Sequence, residues 1–319
     1  MRILKTFVFI FLALQMNAQQ FSWGVPVKHN KLEFEGAAMI DRYLLEENED
    51  GMTRLRVEKA GVTSLGDVTL EKYDANLELT KTVEVLDVRT TMRLFEKVIV
   101  GNDKFYVFYA VSGTTEKTNT LKVQSFDFDG EALGEPKVLD VIKNTKAIAR
   151  GYFEVAASEN GEHFALVSMP VFVKKTNESI VVKTFDADFN EVFSKKFTLA
   201  YPSKRFLFNT PYIMNDGTMF MHKHQKVKKV GVVREMYVLD KEAKKLKANK
   251  IKLNGGYAFS MIDSEMLQRK NGNFVYAGLI GDEGTLKAPK GVGYLEYDNT
   301  GKLVREVIKE FKNAPKLGI

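Results

Sequence analysis

Five charged side chains stand at matching places along the chain, each about ten residues before a turn that contains Asp, Asn or Gly. They are Asp41, Arg93, Arg150, Arg205 and Asp263. The first and the last close the same tripeptide, Met-Ile-Asp. Arginine forks bind carboxylate or phosphate through two parallel hydrogen bonds, and they pair equally well with aspartate. This set therefore predicts either an anion clamp or a series of ion pairs between neighbouring structural units.

Lysine and arginine are concentrated between residues 222 and 252, where eleven of them stand against three acidic residues. Lys223, Lys226, Lys228 and Lys229 form the first part of this segment. A one-sided positive surface attracts an acidic protein surface or an anionic glycan. Lysines also protect exposed strand edges against pairing with other chains. We expect these four lysines to form a basic binding face, whereas edge protection is the alternative interpretation for the lysines in the outer strand of the same unit.

Other chemistry is less well supported by the residue types. The net charge of +6 is spread over 47 basic and 41 acidic residues, and we expect no nucleic-acid partner. The chain has no cysteine, which excludes disulfides and a lipid attached to cysteine. His222 and His224 alternate on one strand face, but zinc needs three or four ligands. We therefore predict no metal, no cofactor and no motif-defined catalytic residue.

The N-terminus has the pattern of an export signal. Arg2 and Lys5 precede an uncharged run over residues 6–14, and Ala18 offers a small residue for cleavage. The run is much shorter than the roughly 20 residues of a membrane-spanning helix. We predict a signal peptide over residues 1–18 and a mature protein over 19–319. The expected location is the periplasm, the extracellular space or the cell surface, with only peripheral membrane contact.

Two turn markers recur in step five times. The first is an aspartate directly after an aromatic or aliphatic residue, at Asp74, Asp127, Asp186, Asp240 and Asp298. The second comes roughly 25 residues earlier in each unit, at the dipeptides 50–51, 102–103, 160–161, 216–217 and 271–272. Asn, Asp and Gly suit such turns because they adopt positive φ at low cost. A marker pair that repeats at about 56 residues indicates a repeat architecture.

Short runs rich in Val, Phe, Tyr and Ile separate the markers, so that each unit is predicted to hold four strands. In the third unit these strands are expected at 152–158, 163–169, 180–185 and 191–199. In the fourth unit we expect the last strand at 250–253. No segment from 20 to 312 has a sustained helical period, so the predicted class is all-β.

Five helix-free units of four strands resemble the blades of a β-propeller. The resemblance implies one propeller domain over residues 19–319 with five blades. Six blades is the alternative, because residues 20–38 could add strands, and a pair of β-sandwiches is the competing fold. The resemblance says little about activity, because propellers host many functions. It places the five charged residues of the repeat at the rim of a central channel, and the basic face on the long-loop side.

Two functions remain open at this point. The first is a non-catalytic envelope scaffold, an accessory or capping, plug-like subunit of an outer-membrane or secretion-related complex, with an acidic protein surface as partner. The second is a propeller glycoside hydrolase or glycan-binding protein. Its resemblance to five-bladed sugar hydrolases implies a pair of channel carboxyls, for which Asp41 and Asp263 are the candidates. The absence of catalytic motifs favours the scaffold.

Overall fold

The computed structural model describes residues 38–60, 67–86, 93–113, 115–143, 150–171, 173, 175–202, 211–227, 231–240, 242, 244–269, 272–282 and 289–312. The predicted signal peptide, Arg205, Lys228 and Lys229 lie outside these residues. Throughout the described ranges the regular secondary structure is β, so none of them holds a helix that could cross a membrane.

Twenty strands form five antiparallel sheets of four strands each. The first two sheets contain β1 (Ala38–Asn48), β2 (Gly51–Ala60), β3 (Val68–Asp74), β4 (Leu79–Leu86), β5 (Arg93–Val100), β6 (Phe105–Gly113), β7 (Thr118–Phe126) and β8 (Lys137–Lys143). The third contains β9 (Tyr152–Ala157), β10 (His163–Met169), β11 (Asn177–Asp186) and β12 (Glu191–Pro202). The last two contain β13 (Tyr212–Ile213), β14 (Met219–Val227), β15 (Gly231–Asp240), β16 (Lys245–Lys250), β17 (Tyr257–Gln268), β18 (Phe274–Asp282), β19 (Gly291–Tyr297) and β20 (Leu303–Glu310).

Each sheet is made from four consecutive strands in chain order, and the fold is a five-bladed β-propeller. The predicted all-β class, the four-strand unit and the count of five blades are confirmed. In the third blade the predicted second strand coincides with β10, and the other three differ only at their ends. Within the described residues, every blade is complete without a strand from the other end of the chain.

The core lies between the blades rather than inside any one of them. Strand β6 shows why: Phe105 and Val107 pack toward the first blade, whereas Tyr106 and Phe108 pack toward the third. All four side chains are buried, because both faces of the sheet are covered. Similar clusters join the third blade to the fourth and the fourth to the fifth. A continuous apolar run such as 105–110 is the sequence form of a strand buried on both faces.

The aspartate marker closes the second hairpin of the blade. In four blades the Asp Oδ1 accepts hydrogen bonds from the backbone N–H groups two and four residues later, at 2.8–3.0 Å; these residues are Asp74, Asp127, Asp186 and Asp298. The residue three places after the aspartate has positive φ, 87° at Gly130 and 82° at Gly301. This is the three-residue hairpin loop with a bulge, which explains why the marker recurs.

The predicted outer strand of the fourth blade is wrong in position. It was expected at 250–253 because of the apolar pair Ile251 and Leu253, but β16 covers Lys245–Lys250. Ile251 and Leu253 are buried in the cluster between the fourth and fifth blades, just beyond the ladder. Side-chain burial therefore continues past the end of strand pairing. A prediction from apolar residues alone puts the strand too far toward the C-terminus.

The turn at Asp298 gives a test of the marker. Replacing Asp298 with Ala removes the acceptor for the Thr300 hydroxyl and for two backbone N–H groups, so we expect a loss of about 1 kcal/mol in the free energy of unfolding at pH 7. Asp298→Asn keeps an acceptor oxygen and should lose less. Urea denaturation of the three proteins measures the difference, and equal stability of all three would contradict the role of the marker.

The same comparison has a defined pH dependence. The hydrogen bond from Thr300 lowers the pKa of Asp298, with backbone N–H groups contributing. A lowered pKa stabilises the fold above the unfolded value of about 4, and this contribution is lost as the pH falls through the native pKa. The advantage of the wild type over Asp298→Ala should therefore shrink in acid.

Candidate functional site

The first and the last strand of each blade are paired on one side only, and in a propeller the first strand of each blade is taken as the one nearest the axis. Three of these inner strands, β5, β9 and β13, lie side by side. They form the wall of the central channel in blades two to four. This is the region in which the sequence placed the charged residues of the repeat.

The predicted channel residues are only partly described. Asp41 lies in β1, Arg93 begins β5, and Asp263 lies in an irregular part of β17, but their side chains fall outside the described residues. Arg205 is outside altogether. Arg150 precedes β9 by two residues, and its side chain is half-buried. The proposed carboxyl pair of Asp41 and Asp263 therefore stays a prediction.

A charged cluster that the sequence analysis missed lies in the channel wall beside Arg150. Glu96 is the extra residue of a β-bulge, since Phe95 pairs with Tyr109 and Lys97 with Phe108. Bulges redirect side chains and are common near functional sites. The Lys97 Nζ donates a hydrogen bond of 2.8 Å to the Val155 carbonyl, tying β5 to β9.

A charged pair in the middle of the apolar strand β5 was the available signal for this cluster. Glu154, the acidic residue with which Glu96 interacts, lies 58 residues further along the chain and could not be inferred from spacing. Tertiary structure alone brings the two carboxyls close enough to interact electrostatically.

The ionisation of this cluster is shifted. Crowding by protein atoms raises the pKa of Glu96 to about 8, the Glu154 carboxylate adds to the rise, and Arg150 opposes it. Water nevertheless reaches the Glu96 side chain, which is exposed. Solvent screens part of these interactions. Burial lowers the pKa of Lys97, and Glu154 opposes that shift.

A cavity of about 720 Å³ opens beside this cluster. It lies on the hairpin side of blades two to four, between the inner strands, and its lining includes Lys97, Asn102, Ser158, Asn160 and Tyr212. Its size is that of a small-molecule site. The sequence analysis favoured the opposite, long-loop side. In the described part of the chain no three His, Asp or Glu side chains are grouped as metal ligands.

The structure corrects the expectation for Lys223, the first residue of the predicted basic face. Its side chain is only 2% exposed, and its Nζ lies 2.7 Å from the Glu178 Oε2 of the third blade. Odd-numbered residues of β14 point toward that blade, as Met219 and Met221 do in the same interface. Lys223 therefore joins two blades and cannot meet a partner. The side chain of Lys226 lies outside the described residues, as do Lys228 and Lys229.

Two further buried groups complete this interface network. The Tyr237 hydroxyl donates to the Glu235 Oε2 at 2.6 Å, and Glu235 pairs across the strands with Lys223. Burial lowers the pKa of Lys223 and raises that of Glu178, although each partner opposes the shift of the other. Loss of hydration thus outweighs pairing at both ends of the ion pair.

Removing one member of this pair should be costly. We expect Lys223→Met to lose about 3 kcal/mol in the free energy of unfolding, because it leaves the Glu178 carboxylate buried without its cation. The double variant Lys223→Met with Glu178→Leu should recover a large part of that loss. A single variant as stable as the wild type in urea denaturation would contradict the buried pair.

Exposed lysines instead gather along the outer strands of blades three and four. We name this surface the basic edge; it comprises Lys195, Lys196, Lys244, Lys245, Lys247, Lys250 and Lys252. The Lys195 Nζ donates to the Lys244 carbonyl at 2.7 Å, which joins the two halves of the edge. The sequence analysis identified the lysines after 240 as a charge excess but missed Lys195 and Lys196, which come from another blade.

Comparison with known proteins adds little to this geometry. No protein-family profile matches the chain, and no curated protein matches its sequence.

Solved structures share the strand arrangement only distantly. An α-L-arabinofuranosidase from Clostridium thermocellum is 12% identical, with 85% of this chain and 94% of that one covered and a TM-score of 0.39. The β-propeller domain of the trilobed protease from Pyrococcus furiosus is 10% identical, with 86% and 99% covered and a TM-score of 0.40. A Bacteroides caccae protein of unknown function is 9% identical, with 82% and 79% covered and a TM-score of 0.42. Likeness at this level says nothing about activity.

Proposed function

We propose that this protein is a non-catalytic binding propeller whose basic edge holds an acidic protein surface. The single observation behind the proposal is the continuous set of exposed lysines on β12, β16 and their flanking turns. Clustered charge of one sign steers a partner of opposite charge and orients it on contact. An anionic glycan would be attracted by the same surface, and the experiment below separates the two.

Edge protection does not account for this charge. Strand β16 has three lysines and no acidic residue, whereas the outer strands β4 and β20 hold equal numbers of basic and acidic residues. Mixed charges therefore suffice to guard the other edges. Of the lysines in β16, Lys247 forms an ion pair with Asp240 at 2.8 Å. Its side chain is 58% exposed, and such surface pairs exchange readily with a partner.

The cellular setting of this proposal rests on the N-terminal sequence. A signal peptide over residues 1–18 would deliver the propeller to the periplasm or the cell surface. There it would act as an accessory or capping subunit of an outer-membrane or secretion-related complex, in peripheral contact with the membrane.

Charge reversal on one outer strand tests the binding surface. The triple variant Lys245→Glu, Lys247→Glu and Lys250→Glu should lose at least tenfold in the yield of partners that copurify from detergent-solubilised envelope. The matched control is Lys302→Glu, Arg305→Glu and Lys309→Glu, which changes the charge equally at the outer edge of blade five, where all three side chains are exposed. Equal yields from the two triple variants would refute the proposal. Protease treatment of the captured material separates a protein partner from a glycan.

A second candidate function has one specific observation in its favour, the channel carboxyls Glu96 and Glu154. The pKa of Glu96 is raised, and a carboxyl with a raised pKa that interacts with a second carboxyl is the arrangement of a general acid with a base or nucleophile. The adjoining cavity could admit a sugar. We therefore propose Glu96 as the acid and Glu154 as its partner should the protein cleave glycosides, in place of the pair suggested by the sequence.

Release of free sugar from a panel of disaccharides and methyl glycosides between pH 5 and pH 9 tests this candidate, because an alcohol leaving group needs the proton of the general acid. We expect Glu96→Gln to lose at least 100-fold in kcat/KM and to lose the fall in rate near pH 8, where the raised pKa of Glu96 places it. No turnover by the wild type on any glycoside would remove the hydrolase from consideration.

A further inference from the structure

A narrow groove crosses the basic edge between the outer strands of blades three and four. It contains a pocket of about 210 Å³. Phe197 and Leu199 of β12 form one wall, and Leu246 and Ala248 of β16 form the other. Tyr237 and Glu235 line the same pocket from the neighbouring strand. Four apolar side chains thus surround a space within the basic edge.

The size of the pocket sets the size of its occupant. A buried apolar cavity of about 150 Å³ holds a benzene molecule. A pocket of about 210 Å³ therefore takes one leucine or phenylalanine side chain and no more.

Strand register places a lysine at each end of this groove. Ala248 pairs with Tyr237, and Lys250 pairs with Glu235, so these side chains share the face of blade four that turns toward blade three. On β12, Lys195 lies two residues before Phe197 and on the same face. Its ammonium group lies 5.7 Å from the centre of the Phe197 ring. Lys195 and Lys250 therefore flank the apolar pocket at opposite ends.

Two polar groups of the lining, those of Tyr237 and Glu235, are held by an internal contact. The Tyr237 hydroxyl donates to Glu235, whose carboxylate also lies in the field of the buried Lys223. Anchors at good interfaces are apolar side chains in desolvated pockets with polar groups around them. An apolar pocket between two cations fits an apolar side chain with acidic neighbours.

We propose that this groove binds an extended acidic peptide segment through one leucine or phenylalanine side chain inserted between Phe197, Leu199, Leu246 and Ala248, with Asp or Glu residues on either side facing Lys195 and Lys250. The proposal rests on the proposed function, because it names the partner class and the anchor point of the basic edge. It adds a prediction that charge alone does not make: the apolar residue is required.

Two labelled peptides test the anchor. Each has seven residues, with six Asp or Glu and either leucine or serine at the centre, and binding is followed by fluorescence anisotropy at 150 mM salt. We expect the leucine peptide to bind at least tenfold more tightly, because burial of the apolar leucine side chain is favourable and burial of the serine hydroxyl is not. Equal affinities would overturn the anchor pocket.

A variant that fills the pocket gives the second measurement. Ala248 is exposed at the edge, so Ala248→Phe should fold and occupy the space itself. It should abolish the preference for leucine while leaving the weaker, salt-dependent binding of both peptides. Val141→Phe, on the exposed outer strand of blade two, is the matched control and should keep the preference. Loss of preference in both variants, or in neither, would overturn the assignment.

The two proposals fail in different ways. If both peptides bind equally and the triple reversal of Lys245, Lys247 and Lys250 weakens them equally, the anchor is refuted and the basic edge stands. If neither peptide binds, the anchor is refuted, and the copurification experiment alone decides the proposed function.

Discussion

Apolar packing between neighbouring blades is the constraint on which the rest of this structure depends. A four-stranded sheet with two apolar faces cannot remain in water alone, and buried clusters join the five blades one to the next along the chain. Strand β6 makes the point, because its buried aromatic residues alternate between the clusters on either side. The chain has no cysteine, so no disulfide adds to this packing. Radial repetition protects sheet edges and buries both faces at once.

The same packing determines what the charged residues do. Several lysines donate to backbone carbonyls of the next blade, as Lys97 does to Val155, Lys183 to Leu139 and Lys195 to Lys244. Lys223 goes further and is fully enclosed with Glu178. Positive charge in this protein therefore joins blades as well as facing solvent. Among the residues that the structure describes, the lysines at the outer strands of blades three and four are exposed and can meet a partner as a group.

Two surfaces remain for function, and their physical characters differ. The channel wall carries Glu96, a carboxyl with a raised pKa, near a cavity lined by Lys97, which suits a small ligand or a bond-breaking step. The basic edge combines cations with an apolar groove, which suits an acidic chain. Charge at an exposed edge acts on encounter and orientation, whereas an apolar pocket adds affinity that salt does not screen. The exposed charge would then attract the partner, and the apolar pocket would hold it.

Local chemistry allowed much of the fold to be predicted from sequence. The Asp-containing hairpin at Asp186 or Asp298 is closed by hydrogen bonds within five residues, so its signature is visible in any one repeat. Five such turns in step gave the blade count and nearly all the strands. Ile251 is buried although it lies beyond the end of strand pairing, and the predicted boundary of the outer strand was wrong there.

The candidate site was far less predictable. The sequence by itself determined the repeat, the turn chemistry and the excess of lysine between 222 and 252. Only the tertiary structure decided that Lys223 would be buried, that Lys195 would lie against a turn 49 residues away, and that Glu96 would interact electrostatically with Glu154. The reason is physical: both faces of these strands are covered, so the role of a charged side chain depends on which neighbouring blade it meets.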